Sequence, residues 1–196
     1  ILQNKLDILP KVDLRNLDGP IRNQGNQGSC TGFSSCSGKE ILVKAKTKLD
    51  LQFSPGFMYY LSRMEAYGTV EKDQGCSMRT VMKTWYKYGC CLEKDFPYNV
   101  KVWNNKPNDL AIQNALQYKI SGYYYANSLN EIKAALSNKM PVIIVVNTSL
   151  ILGMTGKNGA ISNPAYNTTS GYHAILVVGY YDHPKYDGGG FLVVRN

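Results

Sequence analysis

Apolar residues recur with helical spacing through the first half of the chain. Met78, Val81, Met82 and Trp85 lie at i, i+3, i+4 and i+7, which places them on one face of a helix. A glycine at position 89 then suits the end of that helix. Buried methionines of this kind fill a core far more often than they bind a cofactor. The pattern therefore predicts an amphipathic helix that begins at about Ser77 and packs on a helical core.

Two further helices and a capped short helix are predicted from the same signals. One runs from about Ser29 to about Lys46. A second begins at the Ser54-Pro55 pair, a cap followed by a first-turn proline, and ends near Gly68. The segment 128–131, Ser-Leu-Asn-Glu, is a capping box that opens a third, shorter helix.

The character of the sequence changes from helical to β at about Ile112. Tyr118–Tyr125 contains three successive tyrosines and predicts a strand. The apolar run 141–146 predicts another, and the polar segment 147–171 predicts a loop. Two last β-type runs cover 172–180 and 191–195. A helical first half followed by a β second half indicates an α+β fold.

Composition narrows the possible functions. The chain has 196 residues and a formal net charge of +8, but its lysines are spread out and form no basic stripe of the kind that binds nucleic acid. No apolar run approaches the length of a membrane span. We find neither metal-ligand spacing of cysteine and histidine nor a phosphate-binding glycine loop, so we expect no metal and no cofactor. We expect a monomer.

A cysteine stands where a helix begins. Cys30 follows a turn bracketed by Gly25 and Gly28, and the unpaired N–H groups and partial positive charge of a helix N-terminus favour a thiolate. Gln24 lies across the turn, where its amide can point at an oxygen on an attacked carbon. The alternative is a small buried core residue, which is the usual role of a cysteine in a helical run.

The chain contains two histidines that differ in context. His173 opens the apolar run Gly-Tyr-His-Ala-Ile-Leu-Val-Val-Gly-Tyr, whereas His183 precedes a proline in a polar loop and is expected to be solvated. The last β-type run ends in Asn196. His173 is therefore the candidate base, with a satisfied core imidazole as the alternative.

These three blocks together resemble the papain-like cysteine peptidases. The nucleophile block Gln-Gly-x-x-Gly-Ser-Cys, the base block His-Ala-(apolar)3-Gly-Tyr and the asparagine that closes a strand occur in the family's order. His173 follows Cys30 by 143 positions, within the spacing typical of the family.

The resemblance implies a two-lobed α+β fold with the active site in the cleft between the lobes. Residues 9–115 would form the mainly helical lobe, whose N-terminal arm packs on the other lobe, and residues 116–196 the β-barrel lobe. Residues 1–8 would be a propeptide remnant or linker. The family continues past this asparagine with Ser-Trp-Gly, so we expect the sequence to be truncated within the β-barrel lobe.

The resemblance also implies roles for individual residues. Cys30 would be the nucleophile, His173 its base, Asn196 the holder of the imidazole and Gln24 part of the oxyanion hole. The expected substrate-binding residues are Met78, Arg79, Val145, Tyr172 and Ala174. Partners would be a protein or peptide substrate and an inhibitory propeptide.

The other four cysteines separate this chain from many family members. Those enzymes bridge a cysteine three residues before the nucleophile to one matching Cys76, but here the first position is Gln27. This bridge cannot form, so reduced thiols are favoured over a disulfide framework. The segment 76–79, Cys-Ser-Met-Arg, lacks the glycine pair of many members and, with Thr31 where those members have a tryptophan, resembles the bacterial and viral branch. The compartment stays open between a lysosome-like or secreted location and association with a virus or bacterium.

Three functions follow from these residues. The first is a cysteine endopeptidase made as a precursor. The second is a papain-fold binding or structural protein whose triad is unassembled or inactive. The third is an exopeptidase or peptide ligase that uses the same thiol chemistry.

Overall fold

The computed structural model describes residues 8–148, 159–161 and 171–196. Its α-helices are α1 (Cys30–Thr47), α2 (Pro55–Tyr67), α3 (Met78–Tyr88), α4 (Asp109–Ala115) and α5 (Leu129–Ser137). Its strands are β1 (Lys11–Asp13), β2 (Val142–Asn147), β3 (Tyr172–Asp182) and β4 (Gly190–Arg195). Helices and an antiparallel sheet thus form the α+β fold that the sequence predicts.

Helix α1 lies between the other helices and the sheet. It contacts α2 and α3 on one side and β2 and β3 on the other. Cys36 belongs to the helical core, whereas Ile41, one and a half turns later, belongs to the core under the sheet. The buried positions of α1 are mostly small: Thr31, Gly32, Ser34, Ser35, Cys36, Ser37 and Gly38. Small side chains let neighbouring backbones approach α1 from both sides.

Gly32 shows how close that approach is. A β-carbon added to Gly32 would lie 2.8 Å from the carbonyl oxygen of Pro55, at the first turn of α2. Any other residue here would push α2 away from α1, because that distance is below normal contact.

The helices α2 and α3 of the helical core begin and end at the residues that the sequence predicts. Ser54 caps α2 by accepting from the N–H of Phe57, and Pro55 occupies the first turn. Ser77 caps α3 in the same way, and Gly89 ends it. Val81 and Trp85 on the predicted apolar face of α3 are fully buried, and Met78 and Met82 pack at the edge of the same core.

Strand β3 is the centre of the sheet. Its residues 172–177 pair with β2, and residues 179–181 pair with β1, in both cases antiparallel. Strand β4 pairs with residues 176–182 of β3. Because a strand has only two edges, β1 and β2 share one edge of β3 and β4 takes the other. The N-terminal arm is therefore part of the same sheet as His173.

The strand expected over Tyr118–Tyr125, and the change to β at about Ile112, are wrong. Asn108 caps α4 by accepting from the N–H of Ala111, and this helix continues into a 3-10 turn at Leu116–Tyr118. Residues 119–127 then run without regular structure. Strand preference is realised only beside a partner strand, and residues 119–127 pair with none of β1 to β4.

Two other expectations fall outside the described residues. Residues 1–7 of the expected propeptide remnant or linker lie there, and so does most of the expected loop over 147–171.

The two serine caps give a test of the helical core. Ser54 is fully buried, and its hydroxyl also donates to the carbonyl of Phe96 at 2.5 Å, whereas Ser77 is exposed. Ser54→Ala should lower the free energy of unfolding by about 2 kcal/mol, because it removes a cap and leaves a buried carbonyl unpaired. Ser77→Ala, the matched control, should cost about 1 kcal/mol. Urea unfolding measures both, and equal losses would contradict this account.

Candidate active site

The structure brings Cys30, His173 and Asn196 together from three elements. Cys30 is the first residue of α1, His173 lies at the start of β3, and Asn196 follows the end of β4. The side chains of Cys30 and His173 lie close enough that each shifts the pKa of the other. On the far side of the ring, His173 Nε2 lies 2.6 Å from Asn196 Oδ1. An amide oxygen only accepts, so Nε2 carries a proton in this arrangement.

The electrostatics of this pair favour an ionised thiol. Burial alone would raise the pKa of the Cys30 thiol, but the hydrogen bond and charge of His173 and the N–H groups of Ala174 and Thr31 together lower it. The same contact with Cys30 raises the pKa of His173, burial opposes this, and Asn196 adds to the rise. Both shifts stabilise a thiolate beside an imidazolium.

These residues line a cleft of about 460 Å³ between the sheet and residues 24–30, which we call the nucleophile segment. Gln24 is among the lining residues, as is Ala174. The Gln24 side-chain N–H donates to the carbonyl of Gln27 at 2.6 Å, which leaves its second N–H available to the cleft. The structure thus brings Gln24, Cys30, His173 and Asn196 to one cleft.

A tyrosine that sequence reasoning did not select holds the nucleophile segment on both sides of its turn. The Tyr98 hydroxyl donates to the carbonyl of Gln24 at 2.7 Å, and it lies 3.0 Å from the hydroxyl of Ser29, the residue before Cys30. Its ring stands edge-on to Phe33. The Phe-Pro-Tyr stretch at 96–98 was visible in the sequence, but nothing local shows which chain segment this hydroxyl reaches.

Hydrogen bonds hold the nucleophile segment at Gln27 and Gly28. Gln27 is buried, and its side-chain amide donates to the carbonyls of Asn99 at 3.2 Å and Val100 at 3.4 Å. Asp73 accepts from the backbone N–H of Gly28 at 3.0 Å and from the hydroxyl of Tyr59. Asp73 and Tyr59 carried no signal in the sequence, since the backbone N–H that Asp73 meets is 45 residues away along the chain.

The other expected substrate-binding residues lie outside the lining of this cleft. Met78 packs at the edge of the helical core, and Arg79 is exposed in the first turn of α3. Val145 is 52% exposed and pairs with Ala174 across the sheet, and Tyr172 is 76% exposed beside His173. Of the five residues, Ala174 alone is among those that line the cleft.

All five cysteines are free thiols. Cys36, Cys90 and Cys91 are fully buried, and burial raises the pKa of both Cys90 and Cys91. Burial likewise raises the pKa of Cys76, which lies 3.6 Å from the hydroxyl of Thr31. The Cys30 thiol, by contrast, has a lowered pKa.

The described residues contain neither a metal-binding cluster nor a membrane-spanning helix. Within the described ranges, no group of three histidine, cysteine, aspartate or glutamate side chains is arranged to hold a metal ion. None of the helices in those ranges has the length and apolar character that crossing a bilayer requires.

Comparison with known proteins identifies the family. Residues 9–196 match the papain family cysteine proteases. An uncharacterized peptidase C1-like protein of Acanthamoeba polyphaga mimivirus is 28% identical over 176 residues, which is 83% of this chain and 56% of that protein. A cysteine protease of Blomia tropicalis is 25% identical over 183 residues, 90% of this chain and 52% of that protein. The chain spans about half the length of these curated relatives.

Solved structures show the same fold. Xylellain, a cysteine protease from Xylella fastidiosa, superposes with a TM-score of 0.74 at 30% identity and covers 89% of this chain and 71% of its own. Digestive procathepsin L 3 of the Tenebrio molitor larval midgut gives 0.77 at 21% identity over 100% of this chain and 62% of its own, a likeness of fold alone. Since the family match extends over residues 9–196, the chain belongs to the papain family of cysteine proteases.

Proposed function

We propose that this protein is a cysteine endopeptidase that hydrolyses peptide bonds through a Cys30–His173–Asn196 triad. One observation carries the proposal. The thiol with the lowered pKa interacts with an imidazole whose Nε2 lies 2.6 Å from an asparagine oxygen, and all three side chains line one cleft. Family membership supports the same chemistry.

In the first half of the reaction, the Cys30 thiolate attacks the peptide carbonyl carbon. The C–N bond breaks, and the protonated His173 gives its proton to the departing amine. A thioester to Cys30 remains. Neutral His173 then takes a proton from water, whose oxygen attacks the thioester carbon, and the carboxylic acid leaves as the thiolate and imidazolium are restored.

The negative oxygen formed in each half needs hydrogen-bond donors. We assign this role to the Gln24 side-chain amide and the backbone N–H of Cys30. The contact between Gln24 and the carbonyl of Gln27 supports this assignment, because it fixes the amide beside the nucleophile before substrate binds. Asn196 keeps the imidazole oriented between the two steps.

The pro-forms among the related structures favour synthesis as a precursor. Procathepsin L 3 and the proform of Amb a 11, a ragweed pollen allergen, share this fold at 21% and 23% identity. We propose that an N-terminal segment likewise inhibits this enzyme until it is removed, so a precursor should label with a thiol-directed probe more slowly than the processed enzyme.

Labelling of Cys30 is the first test of the proposed function. A peptidyl epoxide should form one adduct on the wild-type protein by intact-mass analysis and none on Cys30→Ala. Peptide hydrolysis by Cys30→Ala should fall at least about 1,000-fold, because removing the nucleophile leaves only binding and the oxyanion donors. Cys76→Ala is the matched control and should keep both adduct and activity.

A folded wild-type protein without an adduct would refute the proposal if iodoacetamide still alkylates Cys30. Binding of a protein partner unaffected by Cys30→Ala would then favour a papain-fold binding protein.

The pH dependence of kcat/KM follows from the two pKa shifts. Activity should rise as pH increases through the lowered pKa of Cys30, and fall as pH increases through the raised pKa of His173. Asn196→Ala should move the basic limb to lower pH, because it removes a contact that favours the imidazolium. His183→Ala, which changes an exposed histidine in the turn after β3, should leave both limbs in place. An unmoved basic limb in Asn196→Ala would exclude this role for Asn196.

Tyr98→Phe tests whether the fixed nucleophile segment matters for turnover. The change removes only the hydroxyl that contacts Gln24 and Ser29. We expect kcat to fall by about 10-fold, since a displacement of even part of an ångström at the nucleophile weakens the attack geometry. Tyr86→Phe on the exposed surface of α3 is the control. Equal kcat values for the two variants would show that the segment is held adequately without this hydroxyl.

A further inference from the structure

Arg195 immediately precedes Asn196, and its guanidinium is held by three oxygens from one short segment. It contacts the carboxylate of Asp18, the carbonyl of Gly19 at 3.1 Å and the carbonyl of Pro20. The side chains of Arg195 and Asp18 are only 10% and 13% exposed. A planar guanidinium that meets several acceptors at once fixes both position and orientation. Arg195 is thus a rigid tie rather than a loose surface ion pair.

The segment that Arg195 holds leads directly into the nucleophile segment. Two residues after Pro20, Arg22 donates to the carboxylate of Glu40 on α1 at 2.9 Å and to the carbonyl of Phe53 at 2.8 Å. The Glu40 carboxylate in turn accepts from the N–H of Phe53 at 2.8 Å. Two partly buried arginines therefore connect the end of β4 to α1, the helix that begins with Cys30.

These arginine contacts lie at the candidate active site. Arg195 and Arg22 both line the cleft that contains Cys30, His173 and Asn196. Burial raises the pKa of Glu40, and the positive charges of Arg22 and Arg195 oppose that rise, so both guanidinium groups act on the same carboxylate. Asn196 comes after the last residue of β4, where no strand pairing fixes it. The pairing of β4 with β3 ends at Arg195, and the side-chain contacts of Arg195 add a second restraint on the backbone one residue before Asn196.

We propose that Arg195 is a positioning residue for the triad, because its clamp on Asp18, Gly19 and Pro20 aligns the Asn196 oxygen with His173 Nε2. This inference rests on the proposed peptidase function. It extends that function by assigning a task to a residue that touches neither the substrate nor the reacting atoms. A purely structural tie would stabilise the fold and leave the imidazole unaffected.

Two variants separate these roles. Arg195→Ala removes the clamp, and Arg195→Lys keeps the charge but cannot reproduce a planar group with several donors. We expect kcat/KM to fall by about 100-fold in Arg195→Ala and by about 10-fold in Arg195→Lys, as for small misplacements of a catalytic group. The matched control is Lys133→Ala, which breaks the ion pair with Asp182 at the opposite end of β3 and should leave kcat/KM unchanged.

The decisive readout is the pKa of His173, measured by NMR titration of its ring in the full protein. Spectra of His173→Ala and His183→Ala assign the two signals, and His183 serves as the internal reference. We expect Arg195→Ala to lower the His173 pKa toward the value in Asn196→Ala, because the contact that favours the imidazolium is lost. Removing a positive charge without moving Asn196 would act in the opposite direction and raise it.

An unchanged or raised His173 pKa in folded Arg195→Ala would overturn the proposal, and so would equal activity of wild type and both variants. If Arg195→Ala does not fold, the His173 pKa of Arg195→Lys decides in the same way. The titration needs no turnover, so it is independent of peptide hydrolysis. A wild-type protein that cleaves no peptide, yet shows the lowered His173 pKa in the variant, would contradict the proposed function and uphold the positioning role.

Discussion

The packing of α1 between the helices and the sheet is the constraint on which the rest of the structure depends. Cys30 begins this helix, so any shift of α1 moves its thiol relative to His173 on β3. The helix can be packed on both sides because its buried residues are mostly small, and Gly32 meets the backbone of α2 where a β-carbon would clash. Protein interiors transmit such displacements rather than absorb them. The small residues of α1 are therefore as important to the site as the thiol itself.

The side chains of the candidate active site come from chain segments that no disulfide joins, since all five cysteines are free thiols. Gln27 occupies the position of a bridging cysteine and is held instead by backbone carbonyls at Asn99 and Val100. Asp73 and Tyr98 add hydrogen bonds to Gly28, Gln24 and Ser29. A buried hydrogen bond contributes about 1 kcal/mol net, so several together are needed to replace one disulfide. This arrangement does not depend on an oxidising compartment.

The charged side chains at the site are paired with groups of opposite charge. The thiolate and imidazolium stabilise each other, and the two arginines in the cleft are neutralised by Asp18 and Glu40. Breaking a buried pair costs several kcal/mol, because the remaining charge is left uncompensated. The arginines therefore act through the geometry they impose on both walls of the cleft.

The sequence by itself determined the elements whose signals are local. Ser54, Ser77 and Ser128 fixed helix starts because each caps its own first turn, and the apolar face of α3 set its orientation. The order of Cys30, His173 and Asn196 was sufficient to identify the family. Only the tertiary structure decided that 119–127 is not a strand, since a strand needs a partner strand and this segment pairs with none of β1 to β4. It also decided the roles of Tyr98, Asp73 and Arg195, whose partners are 45 to 177 residues away along the chain. A side chain's type is written in the sequence, but which distant backbone group it meets is settled by packing.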